Sequence, residues 1–171
     1  RSGNGTGWKA ELVAEGVRRL MEPEVLFDAV REVLEVPTID PMTGEPLQAV
    51  HLLDPSVPNE SLDILGRCNR PERCSAMDSS FGLERQLHWI QGEIVQLPLM
   101  SQQTFFDRCL EQGMHDRHIL TLAYRKVYAR FPSDEEMSYW LAEIPNVGSD
   151  RRAWYQDWLA SLLSSSEFLY R

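Results

Sequence analysis

The stretch TFFDRCLEQGMHDRHILTLAYRKVYARFPSDEEMSYWLAEI, residues 104–144, decides the fold class. Thr104 is placed to cap a helix that carries Phe105, Phe106, Cys109 and Leu110 on or near its buried side, and Gly113 is a natural stop. Ile119, Leu122, Ala123, Val127 and Phe131 then recur at helical spacing and predict a second helix ending at Pro132. Ser133 with Glu136 three residues on is a capping box, and Asp134 and Glu135 suit the positive end of the helix dipole. Met137, Trp140, Leu141 and Ile144 form the packed face of that third helix. Three helices fill these 41 residues, two of them with a cap, and leave no room there for a sheet.

The same period extends outward in both directions. Upstream, Trp8 to Leu20 carries Leu12, Val13, Val17 and Leu20 at helical spacing, and Pro23 is well placed to open a further helix. That helix puts Val25, Leu26, Ala29, Val30, Val33 and Leu34 on one broad face and stops before Pro37. Asp40 to Gly44 reads as a turn, and Leu47 to Leu53 as a short strand or an extended segment without a partner. Leu62 to Leu65 makes one helical turn. Leu83, Leu87, Ile90, Ile94 and Leu97 mark a helix ended by Pro98. From about Asp150, Trp154, Trp158, Leu159, Leu162, Leu163 and Phe168 mark the last one. The expectation is an all-α, irregular bundle of six or seven helices. Residues 1–7, Gly-rich and polar, read as a flexible terminus or linker remnant, and 8–171 as a single helical domain.

Between the helical regions lies HLLDPSVPNESLDILGRCNRPERC, residues 51–74, a long connection punctuated by prolines. Compact domains rarely keep so many residues irregular unless the segment has a function or is stapled down. Cys68 and Cys74 supply a staple: a disulfide there would restrict the unfolded chain by roughly 2–3 kcal/mol. The other readings of the pair are weaker. A redox-active pair uses tighter spacing at a helix N-terminus, and a zinc site needs two more ligands at finger distance. Arg67, Arg70 and Arg73 recur at every third residue of the same loop. Such a cluster can grip a carboxylate or phosphate, but arginines of this kind more often pair with nearby carbonyls and acids, for which Asp54, Glu60 and Asp63 are at hand.

Other candidates for chemistry are thin. His115 and His118, on either side of Asp116, form a His-x-x-His pair that suits a metal on one helix face, though two ligands seldom suffice. His88 beside Trp89 reads as a hydrogen-bonded core histidine, and His51 has no partner in sequence. Nucleophile-elbow, phosphate-loop and dinucleotide motifs are absent from the sequence. Trp140, Trp154 and Trp158, with Tyr139 and Tyr155, concentrate aromatics near the C-terminus. They read as core, or as a docking face for another protein, a carotenoid-like pigment or a lipid.

Composition narrows the function classes. The 171 residues are 43% hydrophobic and carry a net charge of −9. An acidic chain repels phosphate backbones, which argues against nucleic acid and anionic membrane surfaces as partners. No apolar run approaches the ~20 residues of a membrane span. The chain opens on Arg1 and not Met, which reads as a processed or truncated polypeptide. A signal peptide already removed would leave no trace.

Four segments carry a resemblance: DPSVPNESLDILGRCNRPERC (54–74), LERQLHWIQGEIV (83–95), LTLAYRKVYARFPSDEEM (120–137) and WLASLLSSSEFLYR (158–171). In this order they resemble the planctomycete-specific C-terminal domain of large exported bacterial proteins, which often begin with a cytochrome c domain. The likeness runs from about Glu22 to the end, so the chain would be only the last part of a typical member. It implies an extracytoplasmic, periplasmic or exported location and no established activity. Since no Cys-x-x-Cys-His haem attachment site is present, the chain is expected to carry no covalent haem and no cofactor of its own. The resulting expectation is a non-catalytic helical interaction module, an accessory subunit or domain of a larger assembly, with a cytochrome or membrane electron-transfer complex among the candidate partners. The alternative is part of an extracytoplasmic enzyme acting on a polymeric or anionic substrate through the 51–74 loop.

Overall fold

A computed structural model describes residues 19–39, 44–51, 59–67, 82–101, 103–144 and 151–170. The expected 8–20 helix, the 40–44 turn and most of the 51–74 loop fall largely or wholly outside these residues. Within them the protein is all-α. Seven helices reach six residues or more: α1 (Pro23–Leu34), α2 (Glu60–Leu65), α3 (Leu83–Gln91), α5 (Phe105–Glu111), α6 (Asp116–Tyr128), α7 (Asp134–Glu143) and α8 (Arg151–Leu163). Two shorter ones, α4 (Gln96–Met100) and α9 (Ser166–Leu169), complete the set. None among the described residues is long and apolar enough to cross a membrane.

Local chemistry explains most boundaries. Pro23 opens α1 at a position whose N–H would have no helical partner, and the helix ends on Glu35 in the left-handed region. A short antiparallel ladder follows, β1 (Thr38–Ile39) with β2 (Pro46–Leu47), pairing Thr38 with Leu47 and Ile39 with Pro46. The extended segment expected over 47–53 is therefore cut short, because Ala49–His51 turns into a 3₁₀ helix. Asp28 of α1 is the cause: its two carboxylate oxygens accept the N–H groups of Ala49 at 2.7 Å and Val50 at 2.9 Å.

Three further expectations are corrected. The helix through Leu97 breaks after Gln91, because Gly92, whose N–H makes the last helical bond to the His88 carbonyl at 2.7 Å, turns to extended backbone with ψ −179°. A Cβ at Gly92 would collide with that same oxygen, so only glycine allows the break. Pro98 then sits in the first turn of α4 and ends nothing. The final helix also divides, since the Ser165 hydroxyl accepts the Phe168 N–H at 3.2 Å and starts α9 as a new helix. Phe131, expected on the packed side of α6, lies beyond its end and is exposed, because α6 stops at Tyr128 with Ala129 in the left-handed region.

One continuous core runs from Met21 to Leu169. Around it, α8 packs against α4, α5, α6 and α9, while α1 packs against α2, α4 and α6. The two ends of the described chain meet where Leu20 bridges Tyr170 and the Met21 N–H donates to the Leu169 carbonyl at 3.0 Å. Trp89 of α3 is fully buried and donates from Nε1 to the Leu163 carbonyl at 3.2 Å, pinning α3 to the end of α8.

Candidate functional site

Of the loop residues, Cys68, Cys74, Arg70 and Arg73 lie outside the described residues. Arg67, just beyond α2, is buried, and its Nε and Nη2 reach the Asp63 carboxylate at 3.2 and 2.9 Å. The guanidinium thus lies along α2 and is taken up in an i,i+4 ion pair. His51 is exposed at the end of the 3₁₀ helix.

His115 and His118 are both exposed, with ring centroids 6.5 Å apart, beside a hollow of about 440 Å³ that also includes Asp116, Arg117 and Leu141. Asp116 is committed elsewhere. Its Oδ1 is ion-paired with Arg151 and accepts the Tyr155 hydroxyl at 2.7 Å. Burial first, and the Asp116 charge second, push the Tyr155 phenol far above its ordinary range, so the proton stays on the tyrosine. Among the described residues no group of three or more His, Cys, Asp or Glu side chains is arranged to hold a metal ion. His88 is half-buried on α3, and its Nε2 finds no hydrogen-bond partner among the described residues.

Trp140, Trp154 and Trp158 come together. Trp154 and Trp158 stack at 5.6 Å with 15° between planes, and Trp140 meets them edge-on at 6.4 and 5.9 Å. The Trp140 Nε1–H donates to the Tyr124 hydroxyl at 2.7 Å. The three rings bind α6, α7 and α8 into one joint, with Trp158 buried and the other two partly exposed. Beside the joint, Arg130 is held by two carboxylates. Its Nη1 and Nη2 reach Glu136 at 2.8 Å each, and its Nε and Nη2 reach Glu167 at 2.6 and 3.0 Å. The guanidinium also lies over Tyr124 and Tyr128, at 5.2 and 5.3 Å from their centroids. Sequence reasoning passed over Arg130. Its place just after a helix end and before a capping box, whose glutamate it grips, was the available signal.

The most unusual surface lies on α3. Leu83, Leu87 and Ile90, at i, i+4 and i+7, share one face and are 72%, 50% and 52% exposed. Leu97 and Met100 of α4 add 54% and 66%. Four of the five residues of the apolar period that marks the helix in sequence therefore face away from the core, while Ile94, past the end of α3, is fully buried in it. The buried anchor of α3 is Trp89, on a different side. Next to the ridge is a hollow of about 320 Å³ whose lining includes Trp89, Ile90, Gln86, Ser164, Leu169 and Tyr170. The only Lys or Arg in α3, Arg85, is turned away from the ridge, its guanidinium packed over Gly66 at the end of α2. A second hollow, of about 630 Å³, runs between α1 and the β-ladder. Its apolar wall of Val25, Ala29, Pro46 and Val50 is mixed with Asp28, Glu32 and Glu35. Asp28 is already spent on the 3₁₀ helix and Glu35 on Arg108 and Lys126.

The α3 ridge thus offers apolar contact to whatever meets it. The chain matches no family model, no curated protein and no solved structure.

Proposed function

We propose that this protein is a non-catalytic helical interaction module, an accessory subunit or domain that packs on a larger protein assembly. The observation that carries this reading is the Leu83–Leu87–Ile90 ridge, a regular apolar helix face left in water beside an apolar hollow. Soluble monomers rarely leave such a stripe uncovered, whereas singly scattered apolar residues need no explanation. The inward ion pair of Arg67 with Asp63 favours a scaffolding role for that arginine over an anion-binding one. The resemblance to the planctomycete-type C-terminal domain supports an exported location and places a cytochrome or electron-transfer complex among the candidate partners.

The test is native mass measurement of the full chain isolated under mild conditions from cells that make it. The wild-type chain is expected in a species heavier than the monomer, and Leu83→Ser/Leu87→Ser/Ile90→Ser as a monomer. A monomer in both cases contradicts the reading.

A further inference from the structure

We infer that the α3 ridge receives a basic amphipathic helix of another protein, an inference that rests on the interaction-module reading and names the class of partner. The ridge is a straight apolar line along one helix, about 10 Å from Leu83 to Ile90 at 1.5 Å per residue. That is the footprint of two to three turns of a second helix, and the hollow beside it is bounded by Trp89, Leu169 and Tyr170. Helix-in-groove recognition reads this way, with anchors at i, i+3, i+4 and i+7 of the incoming helix.

Charge selects between occupants. At net −9 the chain carries a long-range field that draws cationic partners and repels a second copy of itself. The single arginine of α3 is turned toward α2, and Glu93, just past the end of α3, is exposed and close enough to Arg31 to act on its charge. The size of the ridge argues in the same direction. A standard interface between two folded chains buries on the order of 800 Å² per partner with some 20–30 residues a side, far more than one line of three to five residues supplies, so the ridge fits a single docked helix rather than a second whole chain. The partner helix is therefore one with a Leu-like stripe flanked by Lys or Arg.

The experiment titrates full-length protein with a synthetic amphipathic peptide of Leu and Lys only, roughly five helical turns long. A scrambled peptide of the same composition and a Leu/Glu counterpart are the controls. Binding to the amphipathic Lys peptide is expected in the ~10 µM range, at least about tenfold tighter than to either control. Leu83→Ser/Leu87→Ser/Ile90→Ser is expected to lose about tenfold in affinity with Tm lowered by no more than about 6 °C. Equal binding by the triple variant, or preference for the Leu/Glu peptide, overturns the inference. So does a wild-type dimer in sedimentation that the variant breaks, which would make the occupant a second copy. A Tm lowered by more than about 6 °C in the variant also overturns it, since part of the same chain would then cover the ridge. If the peptide fails while the native assembly still depends on the ridge, the partner class is wrong and the interaction reading stands. If no ridge-dependent assembly forms, the reading itself fails.

Discussion

Arg130 shows how much one side chain can organise. It follows Ala129, which takes the left-handed conformation, and it ties the start of α7 to α9 through two carboxylates while lying against two tyrosine rings. Hydrogen bonds from Arg130 hold the Glu136 carboxyl at a pKa of about 2, below its ordinary 4.5. The unfolded chain therefore takes up this proton first as pH falls. The stabilisation is complete above about pH 4.5 and is lost as pH drops toward 2. Urea midpoints at pH 6 and pH 3 should consequently differ more in wild type than in Glu136→Gln; equal differences would show that the clamp does not act through this ionisation. Cys109 gives a second check at this scale. It is buried and free, and burial pushes its thiol up, so a thiol reagent should leave it unmodified until the chain unfolds. Modification at the rate of a small thiol under native conditions would contradict its placement.

At the scale of elements, the sequence is most legible where a boundary depends on local chemistry. Thr104, Ser133, Pro23 and Gly113 act as caps and stops through atoms within a few residues, and all four do so here. The Thr104 cap has a reach beyond its own helix, because Asp107, which closes the box, is buried and also accepts the Arg152 Nε–H from α8 at 2.7 Å. Thr104→Ala should thus cost about 1–2 kcal/mol in urea unfolding, at the upper end for a cap, and Ser133→Ala about 1 kcal/mol. Breaks and facings are less legible. The stop at Gly92 depends on its turn to extended backbone, where a Cβ would meet the His88 carbonyl, and the period through Leu97 gives no hint of it. Gly92→Ala should cost on the order of 2 kcal/mol, since the clash is with backbone. The same period names Leu83, Leu87 and Ile90 as one face but cannot say whether core or water lies opposite, which is decided by Trp89 reaching Leu163. Triple replacement of the ridge by serine should change stability by only about 0.5 kcal/mol per site, whereas Leu159→Ala in the core should cost 2–5 kcal/mol. Comparable losses in the two variants would place the ridge in the interior.

For the whole molecule, one core is shared by helices from both halves of the chain, and specific polar ties join them. Asp107 with Arg152, Asp116 with Arg151 and Tyr155, and Glu35 with Arg108 and Lys126 each join segments far apart in sequence. These ties belong to the class of contact that sequence spacing cannot reveal. Pairing of Cys68 with Cys74, proposed with an exported location, predicts one reactive thiol per unfolded chain before reduction and three after it. Three before reduction would remove the staple. The central claim is that α3 offers its apolar stripe to another protein, and the most direct test is native mass measurement of the chain from its own cells. The account predicts a heteromeric species that contains wild-type protein and disappears with the triple serine variant. An assembly that forms equally well with both, or no assembly with either, would contradict it.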